Sequence, residues 1–193
     1  MDQLTSQNTA SVNYTNPYAV INADGKPIIA YQWTNGTQYD IRRSRYTTSW
    51  STDNLISPSA SYIQSNPAPA AAVAPNSTIG SAWQGYGSTH TSTYHIFFKP
   101  STDNGYTWGT LVDVAVGQNA SLTADESNAF FVQYDRGGVI YQKKSTDGGA
   151  TWGAETTIGT GTNASTATYN KFTQPLSIWK GTSSVQFAGV FTT

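Results

Sequence analysis

Two histidines, two glutamates, nine aspartates and no cysteine are the groups this 193-residue chain has for acid–base or metal chemistry. His90 and His95 lie in an aromatic-rich stretch, and no Ser-His-Asp arrangement is marked around them. Either could serve as a ligand or a pH-sensitive contact, but a packed or solvated imidazole is the simpler reading. Asp24, Asp103, Asp125 and Asp147 do not have the spacing of a calcium loop, and hairpin-turn roles account for all four. Without cysteine there are neither disulfides nor thiolate metal sites. No metal, cofactor or catalytic residue is expected.

The chemistry the chain offers in quantity is aromatic. Aromatic residues make up 13% of it and charged residues only 11%. Sugars are held by flat rings against their C–H faces, with planar amides and carboxylates taking the hydroxyls. Trp33, Trp83, Tyr86, Tyr94, Tyr134 and Trp179 stand near turns or strand ends and are the candidate ligand-binding residues. The competing role for each is packing between sheets. A net charge of −1 gives no electrostatic footprint for nucleic acid. No stretch approaches 18 apolar residues, so membrane insertion is not expected.

The elements that must position these rings are announced by a repeat. Ser101-Thr102-Asp103-Asn104-Gly105-Tyr106-Thr107-Trp108 is echoed by Ser145-Thr146-Asp147-Gly148-Gly149-Ala150-Thr151-Trp152, 44 residues on. That period is the length of one supersecondary unit. Asp103 and Asp147 can accept bonds from nearby backbone N–H groups, closing an Asx-type turn. Gly105 and Gly149 supply positive φ. Trp108 and Trp152 are expected to open the returning strand. Strand-like runs, Tyr94–Lys99 and Val139–Lys144, precede the two loops.

At these residues the chain resembles the Asp-box, or BNR, repeat family, known mainly from the β-propellers of sialidases. The resemblance implies a structural role for Ser101, Asp103, Gly105, Thr107, Trp108, Ser145, Asp147, Gly149, Thr151 and Trp152. Catalytic members bind a substrate carboxylate with three arginines and use a Tyr–Glu pair with an Asp acid/base, on about six blades. Here Arg42, Arg43 and Arg45 crowd one strand end, Arg136 is the only other arginine, and Glu126 and Glu155 are the only glutamates. The resemblance thus implies the fold without the catalytic residues.

In chain order, residues 1–16 read as an N-terminal arm or closing strand. A first module, about 17–56, carries hairpin signals at Asp24-Gly25 and Asn35-Gly36. It aligns to the third at a constant offset of 101, Ala23-Asp24 on Ala124-Asp125, with Arg45–Trp50 a degenerate third box. A Pro/Ala-rich insertion, 57–78, interrupts the period and holds the only plausible helical turn, Pro69–Val73. Modules of about 79–117, 118–160 and 161–193 follow, with Asn163-Ala164-Ser165 repeating Asn119-Ala120-Ser121 after 44 residues.

The expected fold is all-β, a propeller-like array of about four small antiparallel modules, with a β-sandwich carrying such hairpins as the alternative. The N-terminus has neither a basic region nor an apolar run, so an extracellular or virion-associated location would be reached without a signal peptide. The expected function is a non-catalytic adhesion module, recognising carbohydrate on a virion or cell surface. A structural virion or surface-assembly subunit is the second expectation, and a sialidase-like hydrolase fragment the third. Expected partners are a glycan and other proteins, including copies of itself.

Overall fold

The computed structural model describes residues 12–51, 53–57, 68–87, 90–168 and 175–189. Fifteen strands form four antiparallel sheets, each a meander in chain order, with no helix among the described residues. Sheet 1 is β1 (Asn13–Ile21), β2 (Pro27–Thr34), β3 (Tyr39–Arg45) and β4 (Asn54–Leu55). Sheet 2 is β5 (Ala70–Val73), β6 (Ile79–Gly87), β7 (His90–Ser101) and β8 (Val112–Val116). Sheet 3 is β9 (Gln118–Ala124), β10 (Phe130–Arg136), β11 (Val139–Ser145) and β12 (Thr156–Thr160). Sheet 4 has β13 (Thr162–Ala167), β14 (Leu176–Lys180) and β15 (Val185–Ala188). First strands neighbour one another, β1 on β5, β5 on β9 and β9 on β13. The sheets therefore radiate from a common line as propeller blades do, and the β-sandwich alternative falls away.

Two boundaries differ from the sequence reading. Residues 13–16, read with those before them as an N-terminal arm or closing strand, belong to β1, the first strand of sheet 1; residues 1–11 lie outside the described residues. The insertion 57–78 is shorter than expected, because Ala70–Val73 is the inner strand of sheet 2 rather than a helical turn. Alanine is a weak strand former, but Ala70, Ala71 and Ala72 are all buried where the first strands crowd together, and small side chains are what fits. Residues 58–67 lie outside the described residues.

Three first-to-second-strand turns, 22–26, 74–78 and 125–129, share one hydrogen-bond pattern. In each, the first N–H donates to the fifth carbonyl and the fourth N–H to the first carbonyl. The fourth residue takes positive φ: Gly25, Ser77 and Asn128. Asn22 thus corresponds to Asp125, an offset of 103, and the gapless match of Asp24 to Asp125 is not kept. Sheet 1 spends the difference on a longer second turn, 35–38 against 137–138.

The repeated loops are built identically. Ser101 Oγ donates to Asp103 (2.8 Å) and accepts from the Gly105 N–H (2.9 Å), while Asp103 takes the Thr107 hydroxyl (2.6 Å) and N–H (2.8 Å). Ser145, Asp147, Gly149 and Thr151 repeat these bonds. Each carboxylate therefore bonds four residues ahead, further than an Asx turn reaches. Hydrogen bonds from Thr151, then from Ser145, hold the Asp147 carboxyl down at about 2. The tryptophans do not open the returning strands, which begin four residues later at Val112 and Thr156. They pack inward instead. Trp152 meets Phe98 of sheet 2 edge-on at 5.2 Å, and Trp108 joins Ala30, Ile41 and Ile56 of sheet 1 with Trp83 and Phe97.

Each loop is a peg on the preceding sheet. A β-carbon on Gly149 (φ 93°) would overlap the Phe98 ring, and one on Gly105 would come within 2.8 Å of Ile28 Cδ1. Asn104 donates to Asp24 (2.9 Å) and Arg43 to the Tyr106 carbonyl (3.0 Å), pinning sheet 2's loop to sheet 1. The corresponding segment of sheet 1, Arg45–Trp50, closes differently, with a Tyr46–Trp50 bridge, the Ser51 N–H on the Arg45 carbonyl and the Thr47 N–H on the Ser49 carbonyl.

Gly149→Ala adds a clash with Phe98 to left-handed strain and is expected to cost roughly 2–5 kcal/mol, whereas Gly148→Ala, with open space around it, costs about 1–2 kcal/mol. Urea unfolding of the two variants side by side measures the peg.

Candidate functional site

The array has two ends. The first-to-second-strand turns and the box loops share one; the second-to-third-strand turns and the crossovers between sheets share the other. At the box end a groove of about 690 Å³ runs between sheets 2 and 3 past Asn76, Pro100, Asn128 and Asp147. At the crossover end a smaller cleft, about 250 Å³, opens between the same sheets. Tyr94, Gln118, Asp135 and Arg136 line it, with the 116–118 crossover as its floor.

Of the six candidate rings only Tyr94 lines this cleft, and Tyr86 is its stacking partner. Tyr86 and Tyr94 stack at 4.3 Å with 23° between planes, both half-buried at the end of the β6–β7 hairpin. Trp33 is half-buried on sheet 1 beneath the Arg42 guanidinium, 3.8 Å away. The other three are corrections. Trp83 and Tyr134 are fully buried and Trp179 is nearly so, at 6%. Trp83 packs between sheets 1 and 2, Tyr134 between sheets 2 and 3, and Trp179 on Ile140 with its indole N–H on the Thr160 carbonyl (2.8 Å). A ring enclosed on both faces has none left for a sugar.

The polar centre of the cleft was not among the candidates. Asp135 is 1% exposed and accepts from Gln118 (3.1 Å), Asn119 (2.8 Å) and the Asn163 N–H (2.9 Å), joining sheets 3 and 4. The Asn119 N–H in turn donates to Gln84 of sheet 2 (2.6 Å). Asn119 and Asn163 both sit at positive φ (56° and 55°), opposite irregularities in strand pairing. Asparagine tolerates that conformation better than other side chains. Asn16 (φ 51°) repeats the device in sheet 1, donating to Gln32 (3.1 Å). The 44-residue recurrence of Asn-Ala-Ser was the sequence signal for this centre.

Beside it Tyr134, Arg136 and Glu155 meet, all within sheet 3. Tyr134 Oη donates to Glu155 (2.5 Å), and Arg136 holds both carboxylate oxygens (2.6 and 3.2 Å) and the Val116 carbonyl (3.1 Å). Burial, then the Glu155 contact, raises the Tyr134 phenol well above its ordinary value. Burial alone would raise Glu155, but the bonds from Arg136 and Tyr134 outweigh it and hold the carboxyl below its usual range. A nucleophilic phenol needs the opposite shift. The trio braces the crossover. His95, 8% exposed, is paired with Asp113 at 2.9 Å. Among the described residues no three His, Asp or Glu side chains gather as a metal site.

No protein-family model matches the sequence, and no curated protein matches it. Solved structures do match in fold. A Hadza microbial sialidase superposes with a TM-score of 0.65 at 16% identity, over 91% of this chain and 44% of its own. The GH93 α-L-arabinofuranosidase of Fusarium graminearum gives 0.68 at 15%, over 88% of this chain and 54% of its own. The NanB sialidase of Streptococcus pneumoniae gives 0.68 at 10%, over 96% of this chain and 51% of its own. The fold is therefore that of the sialidase-like propellers, a class with carbohydrate-active members. The chain spans about half the length of these proteins, and identities this low speak for fold alone.

Tyr134→Phe removes a donor from a charged, partly buried acceptor, so stability at pH 7 should fall by about 1–3 kcal/mol. Glu155 is held below its ordinary value, so its contribution is full above that value and fades as pH falls through the folded one. The gap between wild type and variant should therefore narrow below about pH 4, which melts at pH 7 and pH 3 would check.

Proposed function

We propose that this chain is a non-catalytic, carbohydrate-recognising adhesion module built from Asp-box repeats and displayed on a virion or cell surface. The observation that carries this reading is the stacked Tyr86–Tyr94 pair beside a cleft walled by Gln118 and Asp135. An aromatic face next to planar amide and carboxylate groups is what a sugar ring requires. The hydrolase reading is set aside because the Tyr–Glu contact lies within one sheet, with its phenol buried and raised in pKa. Four arginines in all, three of them on one strand, also do not suit a converging arginine triad.

A second reading, a structural assembly subunit, is favoured by sheet 4. Leu176, Ile178, Val185 and Phe187 are 39–70% exposed, and Ile178 and Phe187 are cross-strand partners. On sheets 1 to 3 the corresponding face is covered by the next sheet.

A glycan array probed with the full chain should show binding that Tyr94→Ala weakens about tenfold or more, with an unchanged circular dichroism spectrum. An array blank for the folded wild type would remove the carbohydrate reading. Light scattering then tests the second: an oligomer that Phe187→Ser converts to monomer supports assembly through sheet 4, and a wild-type monomer removes it.

A further inference from the structure

We infer that the crossover cleft selects neutral sugars and rejects acidic ones, an inference that rests on the carbohydrate reading of the same site. A sialic or uronic acid carboxylate is held most strongly by a cation whose charge and donors are not already spent. Arg136 is the cation in the wall, and it is spent. Its two terminal nitrogens hold both Glu155 oxygens and the Val116 carbonyl, and its plane covers the Tyr141 ring at 4.4 Å. Glu155 cancels the charge.

The other arginines are engaged elsewhere. Arg42 is bound by Asp40 (2.7 Å) and Asp53 (3.0 Å) on sheet 1. Arg43 and Arg45 are buried against the Tyr106 loop at the box end. Lys143 does not line the cleft and has its ammonium on the Val114 carbonyl (2.9 Å), and Lys180 stands on sheet 4, beyond the two sheets that form the cleft.

Asp135 then tips the balance. Its carboxylate lines the cleft and is bonded by neutral amide and N–H donors, so it adds a negative charge to a wall in which Arg136 and Glu155 already cancel. A carboxylated sugar entering between Tyr94 and Asp135 meets like charge with no compensating guanidinium. A neutral ring meets a tyrosine face and the Gln118 amide, with no charge for the wall to oppose.

The test uses immobilised hexose-terminated oligosaccharides, the same oligosaccharides capped with sialic acid, and a uronic-acid series, against the full chain at pH 7. The neutral forms should bind at least about tenfold more tightly than their acidic counterparts, since facing like charges carry a penalty of that order or more. Raising salt should narrow the gap. Glu155→Gln, checked for folding by circular dichroism, should narrow it further by freeing the Arg136 charge. Acidic forms bound as tightly as neutral ones would overturn the selectivity and leave carbohydrate recognition standing. Binding of no glycan of either kind would overturn both.

Discussion

Everything in this molecule depends on a glycine lying against a ring. Gly149 can approach Phe98 because it has no β-carbon, and it is held there by Ser145, Asp147 and Thr151 acting together. The loop's polar bonds add little by themselves, since such exchanges with water are worth about 1 kcal/mol each. Their effect is to present a glycine and a tryptophan to the neighbouring sheet at a fixed angle. Small sheets of three or four strands cannot bury both faces alone. The peg turns separate hairpins into one stacked array, with Phe98, Phe130, Val132 and Tyr134 sealed between sheets 2 and 3.

Stacking by the box end leaves the other end to the turns and crossovers. There the backbone is irregular, with left-handed asparagines in the first strands of sheets 1, 3 and 4, and their polar groups gather on a few buried acceptors. Asp135 is satisfied from two sheets at once, so the geometry of the cleft is coupled to the packing of the array. Gln118 is held to Asp135 as part of the same network (3.1 Å).

The sequence showed some of this clearly and hid the rest for physical reasons. Turns and boxes were legible because they demand particular residues: glycine where φ is positive, aspartate where N–H groups converge. Which way a ring points was not legible. β10 is buried on both faces from Phe130 to Asp135, so the usual alternation is lost and Tyr134 reads like a surface tyrosine. Trp83 is hidden by the same effect. The inner strand Ala70–Val73 was missed because close packing, not propensity, makes it a strand. Asp135 gave no local signal, its partners lying 16 to 28 residues away.

The peg also gives the array a direction in time. Sheets 1 and 2 are each completed by a loop that the next sheet carries, reaching back onto a surface made earlier in the chain. During synthesis, N-terminus first, every box loop emerges after the sheet it must lock, and meets a partner already formed. Sheet 1, which has no described sheet before it, has lost the aspartate and glycine from its own loop. Among the described sheets, sheet 4 has no loop reaching onto it, and there Ile178, Val185 and Phe187 lie open.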